Sequence, residues 1–185
     1  MTGKVILLNG ASSAGKSSIA RAVQARIEAP FWHYSIDHIR AGGVLPMDRI
    51  RRGDFAWAEM RPAFFDGFHR SLPALAGAGN NLLVEHIFET REWLRDIVSL
   101  LAPFDVFLVG VHCELEELER RETARGDRPL GDARRDFETA HQHAIYDLEL
   151  DATTQPPELN AERLIAAWRA RSCPTALETL RERLA

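Results

Sequence analysis

The 185-residue chain has little cysteine: Cys113 and Cys173 stand far apart and match no metal-binding or redox spacing. No disulfide framework is implied, and two lone thiols point to a reducing compartment, the cytoplasm. Long hydrophobic runs are missing too. Nowhere do about 18 apolar residues run together, and the apolar run near the N-terminus is too short for a signal-peptide core, so neither membrane spanning nor secretion is expected. Positive charge is not in excess. Lys and Arg number 23 against 27 Asp and Glu, a net charge of −4, so no global field draws nucleic acid or anionic lipid. The D-x-x-G and N-K-x-D elements of a GTPase switch do not occur, and there is no internal repeat or low-complexity tract. What remains is one α/β domain over residues 1–185, long enough to bury a core without metal or disulfide staples.

Against these absences stands Gly10-Ala11-Ser12-Ser13-Ala14-Gly15-Lys16-Ser17, which fits G-x-x-x-x-G-K-[ST]. Val5 to Asn9 before it suits a buried strand, and Ile19, Val23 and Ile27 after it repeat as on one helix face. Strand, glycine-rich loop and helix make an anion cradle. Its glycines let successive N–H groups point inward at phosphate oxygens, and the helix start adds its positive dipole end. Gly10, Ser12, Ser13, Ala14, Gly15, Lys16, Ser17 and Ser18 are thus the expected binding residues for ATP. Lys16 would reach the β- and γ-phosphates, and the Ser17 hydroxyl would ligate Mg²⁺.

Further along, Phe31 to Ile36 reads as a second strand ending at Asp37, and Gly42 to Asp54 as an irregular loop. From Phe55 to Ala76, Met60, Phe64, Phe68, Leu72 and Leu75 follow helical spacing as a core stripe, with Pro62 and Pro73 marking kinks or ends. Asn81 to His86 and Phe104 to Val111 read as strands, each followed by a helix, Glu89 to Leu101 and Glu114 to Arg125. Arg134 to His143 predicts a helix, Leu148 to Asp151 a last strand, and Glu158 to Arg171 another helix. Thr175-Ala176-Leu177-Glu178 is a capping box opening a terminal helix, whose Leu177, Leu180 and Leu184 face could serve as a contact surface. These five strands alternating with helices imply a five-stranded parallel sheet covered on both faces, and the glycine-rich loop after the first strand makes it a P-loop NTPase fold.

In such a sheet, ligands gather at the carboxyl ends of the strands. Asp37 stands at one such end, where a carboxylate can orient an acceptor hydroxyl and take its proton; the alternative is a helix N-cap. Glu85 stands at another, where an acid can hold Mg²⁺ or its waters; the alternative is a buried structural acid. Arg120, Arg121, Arg125 and Arg128 crowd a helix end. Arg125 and Arg128, at the break, suit a lid over phosphoryl oxygens, while Arg120 and Arg121 suit a solvated face balanced by glutamates. His141 and His143, two apart, complete no zinc site.

Taken together, Ile6-Leu7-Leu8-Asn9-Gly10 with Ser12 to Ser17, Asp37, and Arg121-Glu122-Thr123-Ala124-Arg125-Gly126-Asp127-Arg128 resemble the chloramphenicol phosphotransferase family. Val109 to Cys113 and Tyr146 through Thr153 extend the likeness over most of residues 4–154. The resemblance implies a nucleoside-monophosphate-kinase-like P-loop fold and transfer of the ATP γ-phosphoryl to a primary hydroxyl of the antibiotic. It implies Asp37 as base, Lys16 and Ser17 on ATP and Mg²⁺, and Arg125 and Arg128 in a lid at about 120–135, with an acceptor-binding insertion at about 42–78. Two departures stand out. Glu85-His86 replaces an adjacent acidic pair, and Gly42 to Trp57, with Arg49, Arg51 and Arg52, has no counterpart. The expected partner is a small-molecule hydroxyl acceptor, chloramphenicol or a related antibiotic. A metabolite or nucleoside is the rival acceptor, and a nucleic-acid end the more distant one.

Overall fold

The computed structural model describes residues 2–126 and 130–184. Five strands, β1 (Val5–Asn9), β2 (Phe31–Ser35), β3 (Asn81–His86), β4 (Val106–His112) and β5 (Leu148–Asp151), form one parallel sheet in the order β2-β3-β1-β4-β5. Between them run α1 (Lys16–Gln24), α2 (Ile36–Ala41), α3 (Met47–Arg51), α4 (Trp57–Gly77), α5 (Arg91–Leu101), α6 (Leu115–Arg125) and α7 (Asp132–Thr139). Two more, α8 (Pro157–Arg169) and α9 (Ala176–Leu184), follow β5.

The central strands are apolar on both faces because both faces are covered. Side chains alternate along a strand, so Val5 and Leu7 of β1 enter one core with Phe68 and Leu72 of α4, Ile97 of α5 and Leu180 of α9. Ile6 and Leu8 enter the other, with Ile19 and Val23 of α1 and Leu164 and Trp168 of α8. The expected five-stranded parallel sheet with helices on both faces is what forms.

Four local expectations are revised. The segment expected as loop carries a short helix, α3. Pro62 and Pro73 lie inside α4 rather than ending it. Each removes a backbone donor at a cost of about 3 kcal/mol, and burial of Phe68, Leu72 and Ala76, with Leu75 packed against the same core, works against that cost and holds the helix to the sheet. The apolar stripe of α4 is core only in this C-terminal half, since Met60 and Phe64 are half-buried. The helix expected over Arg134 to His143 is α7, which stops at Thr139, where the side chain of Asn9 takes the next carbonyl, Ala140 O, at 2.6 Å. On α9 the capping box forms as read, with Thr175 N–H on Glu178 Oε2 at 2.6 Å and Glu178 N–H on Thr175 Oγ1 at 3.3 Å. Leu177 and Leu180 are spent in the chain's own core, which leaves little apolar face on that helix for a partner.

Buried histidines should make the fold sensitive to acid. His69 and His86 approach each other through Nε2 atoms at 2.8 Å, and burial lowers both below the ordinary imidazole range. His141 stacks on His112 with ring centres 4.0 Å apart, and burial, then the neighbouring His112, pushes it down to about 4. A depressed folded pKa means that the unfolded chain binds more protons between about 6.5 and the folded value. Stability is therefore full above about pH 6.5 and is lost as pH falls toward 4, by up to about 1.4 kcal/mol per pH unit for each histidine. Urea midpoints should fall between pH 7 and pH 5; a flat profile would show that these rings take up protons without strain.

Candidate functional site

The loop after β1 is shaped by two requirements. A Cβ on Gly10 would lie 2.4 Å from Val111 O, so only glycine lets the chain leave the sheet this close to β4. Gly15, at φ +94, turns the chain into α1 through a left-handed conformation that side chains disfavour. The first N–H groups of a helix lack intrahelical acceptors, and those of α1 stand at the carboxyl edge of the sheet. Lys16 is buried, with Nζ donating to Gly10 O at 2.6 Å and Ala11 O at 2.7 Å, so its charge sits inside the curve of the loop. Ser12 donates its N–H to Asp136 Oδ2 at 3.1 Å.

At the end of β2, Ser35 caps α2 by accepting the His38 N–H at 3.2 Å. Asp37 lies one position into that helix and is therefore not the cap. Its carboxylate is about half exposed, with Arg40 Nη1 4.0 Å away. Beside it, at the end of β3, Glu85 is buried and accepts the Ser17 hydroxyl on Oε2 at 2.9 Å, while His33 Nε2 bonds Oε1. Burial alone would raise this carboxyl, but the bond to His33, the Lys16 charge and the Ser17 hydroxyl outweigh it and hold Glu85 below its ordinary value. The next residue, His86, faces the opposite side of the sheet and packs among Phe68, Phe88 and Trp93, so the pair Glu85-His86 puts only one acid on the loop side.

Oxygen donors suit Mg²⁺, which keeps several waters and needs few protein ligands. Ser17 and Glu85 are such donors, already within hydrogen-bond distance of each other. No cluster of three or more His, Cys, Asp or Glu side chains fit to hold a metal occurs among the described residues. Two oxygen donors fit a cation that takes few ligands from protein.

One cleft of about 1030 Å³ unites these parts. Ser12, Ser13, Ala14, Gly15, Lys16, Ser17 and Ser18 line it together with Asp37, Glu85 and Arg125; Gly10 is not among the lining residues. Arg128 falls outside the described residues. Of the arginines read as a solvated face, Arg120 behaves so, pairing with Glu117 at 2.6 Å. Arg121 does not: it lines the cleft and reaches Ala152 O at 2.7 Å, braced by Glu117 at 2.7 Å. The helix phase of α6 turns Arg121 inward and Arg120 outward, a difference that charge counting misses.

The far wall of the cleft was only partly expected. Arg40, Trp57, Arg61, Phe65 and Glu89 line it. Arg61 Nη2 donates to both oxygens of Glu89, at 2.6 and 2.7 Å, and its guanidinium lies over the rings of Phe65 and Trp93 at 4.6 and 4.9 Å. An Arg four residues before an aromatic on one helix face was the available signal. Arg49, Arg51 and Arg52, by contrast, pair with Asp54 and Asp48 away from this cleft.

The strand order with a glycine-rich loop after the central strand defines a P-loop kinase fold. Solved structures agree. The APS kinase CysC of Mycobacterium tuberculosis, in complex with AMPPNP and APS, superposes with a TM-score of 0.65 at 20% identity, over 91% of this chain and 98% of that one. Shikimate kinase from Aquifex aeolicus gives 0.63 at 16% identity, over 90% and 96%. More specifically, the chain belongs to the chloramphenicol phosphotransferase-like family, whose sequence model matches residues 3–169. A Mycobacterium tuberculosis protein named as a proposed O-phosphotransferase is 35% identical, with 98% of this chain and 89% of the relative covered. No helix among the described residues is long and apolar enough to cross a membrane.

Proposed function

We propose that this protein transfers the γ-phosphoryl of ATP to a hydroxyl of a small molecule. The observation that carries the reading is a single cleft with the phosphate loop on one side and Asp37, backed by an aromatic and ionic wall, on the other. Lys16 and the loop N–H groups bind the β- and γ-phosphates, and Arg125, with Arg128, serves a lid at about 120–135. Ser17 and Glu85 would hold Mg²⁺, which would supply positive charge against that of the phosphates. Asp37 orients the acceptor hydroxyl and takes its proton as the new oxygen–phosphorus bond forms and the bond to the ADP oxygen breaks. The family name makes chloramphenicol one acceptor to test, and the wall of Trp57, Arg61 and Phe65, within the insertion at about 42–78, with Glu89 after β3, belongs to the acceptor half. Arg49, Arg51 and Arg52, which pair with Asp54 and Asp48, are not among the residues lining this cleft, which argues against a nucleic-acid end as the acceptor. Exposed, unpaired Cys173 fits a reducing cytoplasm.

A panel of hydroxylated acceptors with γ-labelled ATP and Mg²⁺, including chloramphenicol and nucleosides, tests the reading. Label should pass to one acceptor class faster than to water. Release to water alone, unchanged by every acceptor, would overturn it.

A further inference from the structure

The helix α7 carries a buried carboxylate that the proposed reaction leaves unused. Asp136 is 2% exposed, lines the cleft, and accepts the Ser12 N–H on Oδ2 at 3.1 Å, while Arg135 Nη2 meets Oδ1 at 3.1 Å. Burial raises its carboxyl above the ordinary range, opposed by Arg135 and by the Ser12 N–H. A buried carboxylate costs several kcal/mol unless hydrogen bonds and charges offset it. One of these two bonds goes to backbone of the phosphate loop.

The helix bearing Asp136 is itself held at both ends. Glu122 of α6 takes the N–H groups of Gly131 at 2.9 Å and Ala133 at 2.8 Å, at the start of α7. At the other end, Ala140 O accepts from Asn9 Nδ2 at 2.6 Å, and Asn9 is the last residue of β1. The carboxylate thus reaches the loop from a platform fixed both to the strand that feeds the loop and to the helix that bears Arg121 and Arg125. A bond of this kind sets position because both of its partners have little freedom.

We propose that Asp136 is a positioning residue for the phosphate loop: by accepting the Ser12 N–H it fixes the first half of the loop and ties it, through α7 and Glu122, to helix α6. Asp136 acts through the loop and not on the substrate. Its role rests on the phosphotransfer reading for its consequence in nucleotide binding, but the tie itself is a property of the protein without ligand.

The test uses the full chain and three variants, with ADP titrated by calorimetry, Ser12 amide exchange followed by NMR without ligand, and KM for ATP separated from kcat. Asp136→Ala removes the acceptor, Asp136→Asn keeps its shape and an acceptor oxygen, and Asp136→Glu keeps the charge but moves it by one methylene. Asp136→Ala should speed Ser12 exchange at least tenfold and weaken ADP and raise KM for ATP by about tenfold, with kcat within threefold. Asp136→Asn should restore ADP affinity to within threefold of the native chain, and Asp136→Glu should weaken it fivefold or more. Should Asp136→Ala not fold, the Asn and Glu variants decide the matter, because a fixed acceptor prefers Asn and a mere negative charge prefers Glu. Glu matching the native chain while Asn fails, or Ser12 exchange unchanged in a folded variant, would overturn the proposal. If the native protein bound no ADP, the phosphotransfer reading would fall, while Ser12 exchange would still report whether Asp136 holds the loop.

Discussion

Asp37→Asn is expected to lower kcat by about 10²- to 10⁴-fold, the range for loss of a positioned general base, while ADP affinity stays within a few fold. Asn keeps the size of the side chain and its capacity to accept a hydrogen bond from the hydroxyl, but it cannot take the proton. The usual objection to such a variant is structural. Here the helix cap is Ser35, whose hydroxyl accepts the His38 N–H, so the change removes no cap from α2. Among the contacts described, it removes a carboxylate in the first turn, worth about 0.3–1 kcal/mol with the helix dipole, and a long contact to Arg40 at 4.0 Å. Neither carries a hundredfold loss of rate. Steady-state kinetics with saturating acceptor, set beside an ADP titration, separates the outcomes. A kcat within a few fold of the native enzyme, with ADP still bound, removes Asp37 from the role of base and leaves it as an acid at a helix start.

How much of this was legible in the chain depends on the range of the interaction concerned. Strands such as Val5–Asn9, Asn81–His86 and Val106–His112 announce themselves because a central parallel strand is apolar on both faces and ends abruptly in polar residues. The phosphate loop and the capping box at Thr175 are equally local, since each is closed by partners a few residues apart. Pairings across the fold leave no such trace. Ser12 and Asp136 are 124 residues apart, Arg61 and Glu89 are 28 apart, and each pair meets only because separate elements pack against one edge of the sheet. Arg121 illustrates the middle case: its spacing from Glu117 is readable as an ion pair, and the pair forms, but which side of α6 faces the cleft is decided by packing. The two prolines of α4, readable as kinks or ends, end nothing, because whether a local penalty of a few kcal/mol stops a helix depends on burial that the local sequence does not reveal.

Lys16→Met is expected to cost at least 10²- to 10³-fold in kcat/KM, the scale of losing one preorganised charge-stabilising donor. Methionine fills nearly the same volume and suits a buried slot, so the variant tests charge and donation rather than packing. The ammonium bonds Gly10 O and Ala11 O at 2.6 and 2.7 Å in the ligand-free loop, so its loss acts on two levels. Buried carbonyls left without a donor cost about 1–3 kcal/mol each, which loosens the loop before any phosphate arrives. Phosphate then meets a cradle without its mobile charge. These contributions separate experimentally, because loosening should appear as a lower unfolding midpoint and faster exchange of loop amides without ligand, whereas lost charge should appear in the binding of ADP and in turnover. Glu85 supplies an internal check. Lys16 is among the groups that hold its carboxyl low, so in the Met variant Glu85 should titrate at higher pH. Turnover within tenfold of the native enzyme, with Glu85 unmoved, would mean that the positive charge in the loop is a strut for two carbonyls and that phosphate is held elsewhere in the cleft.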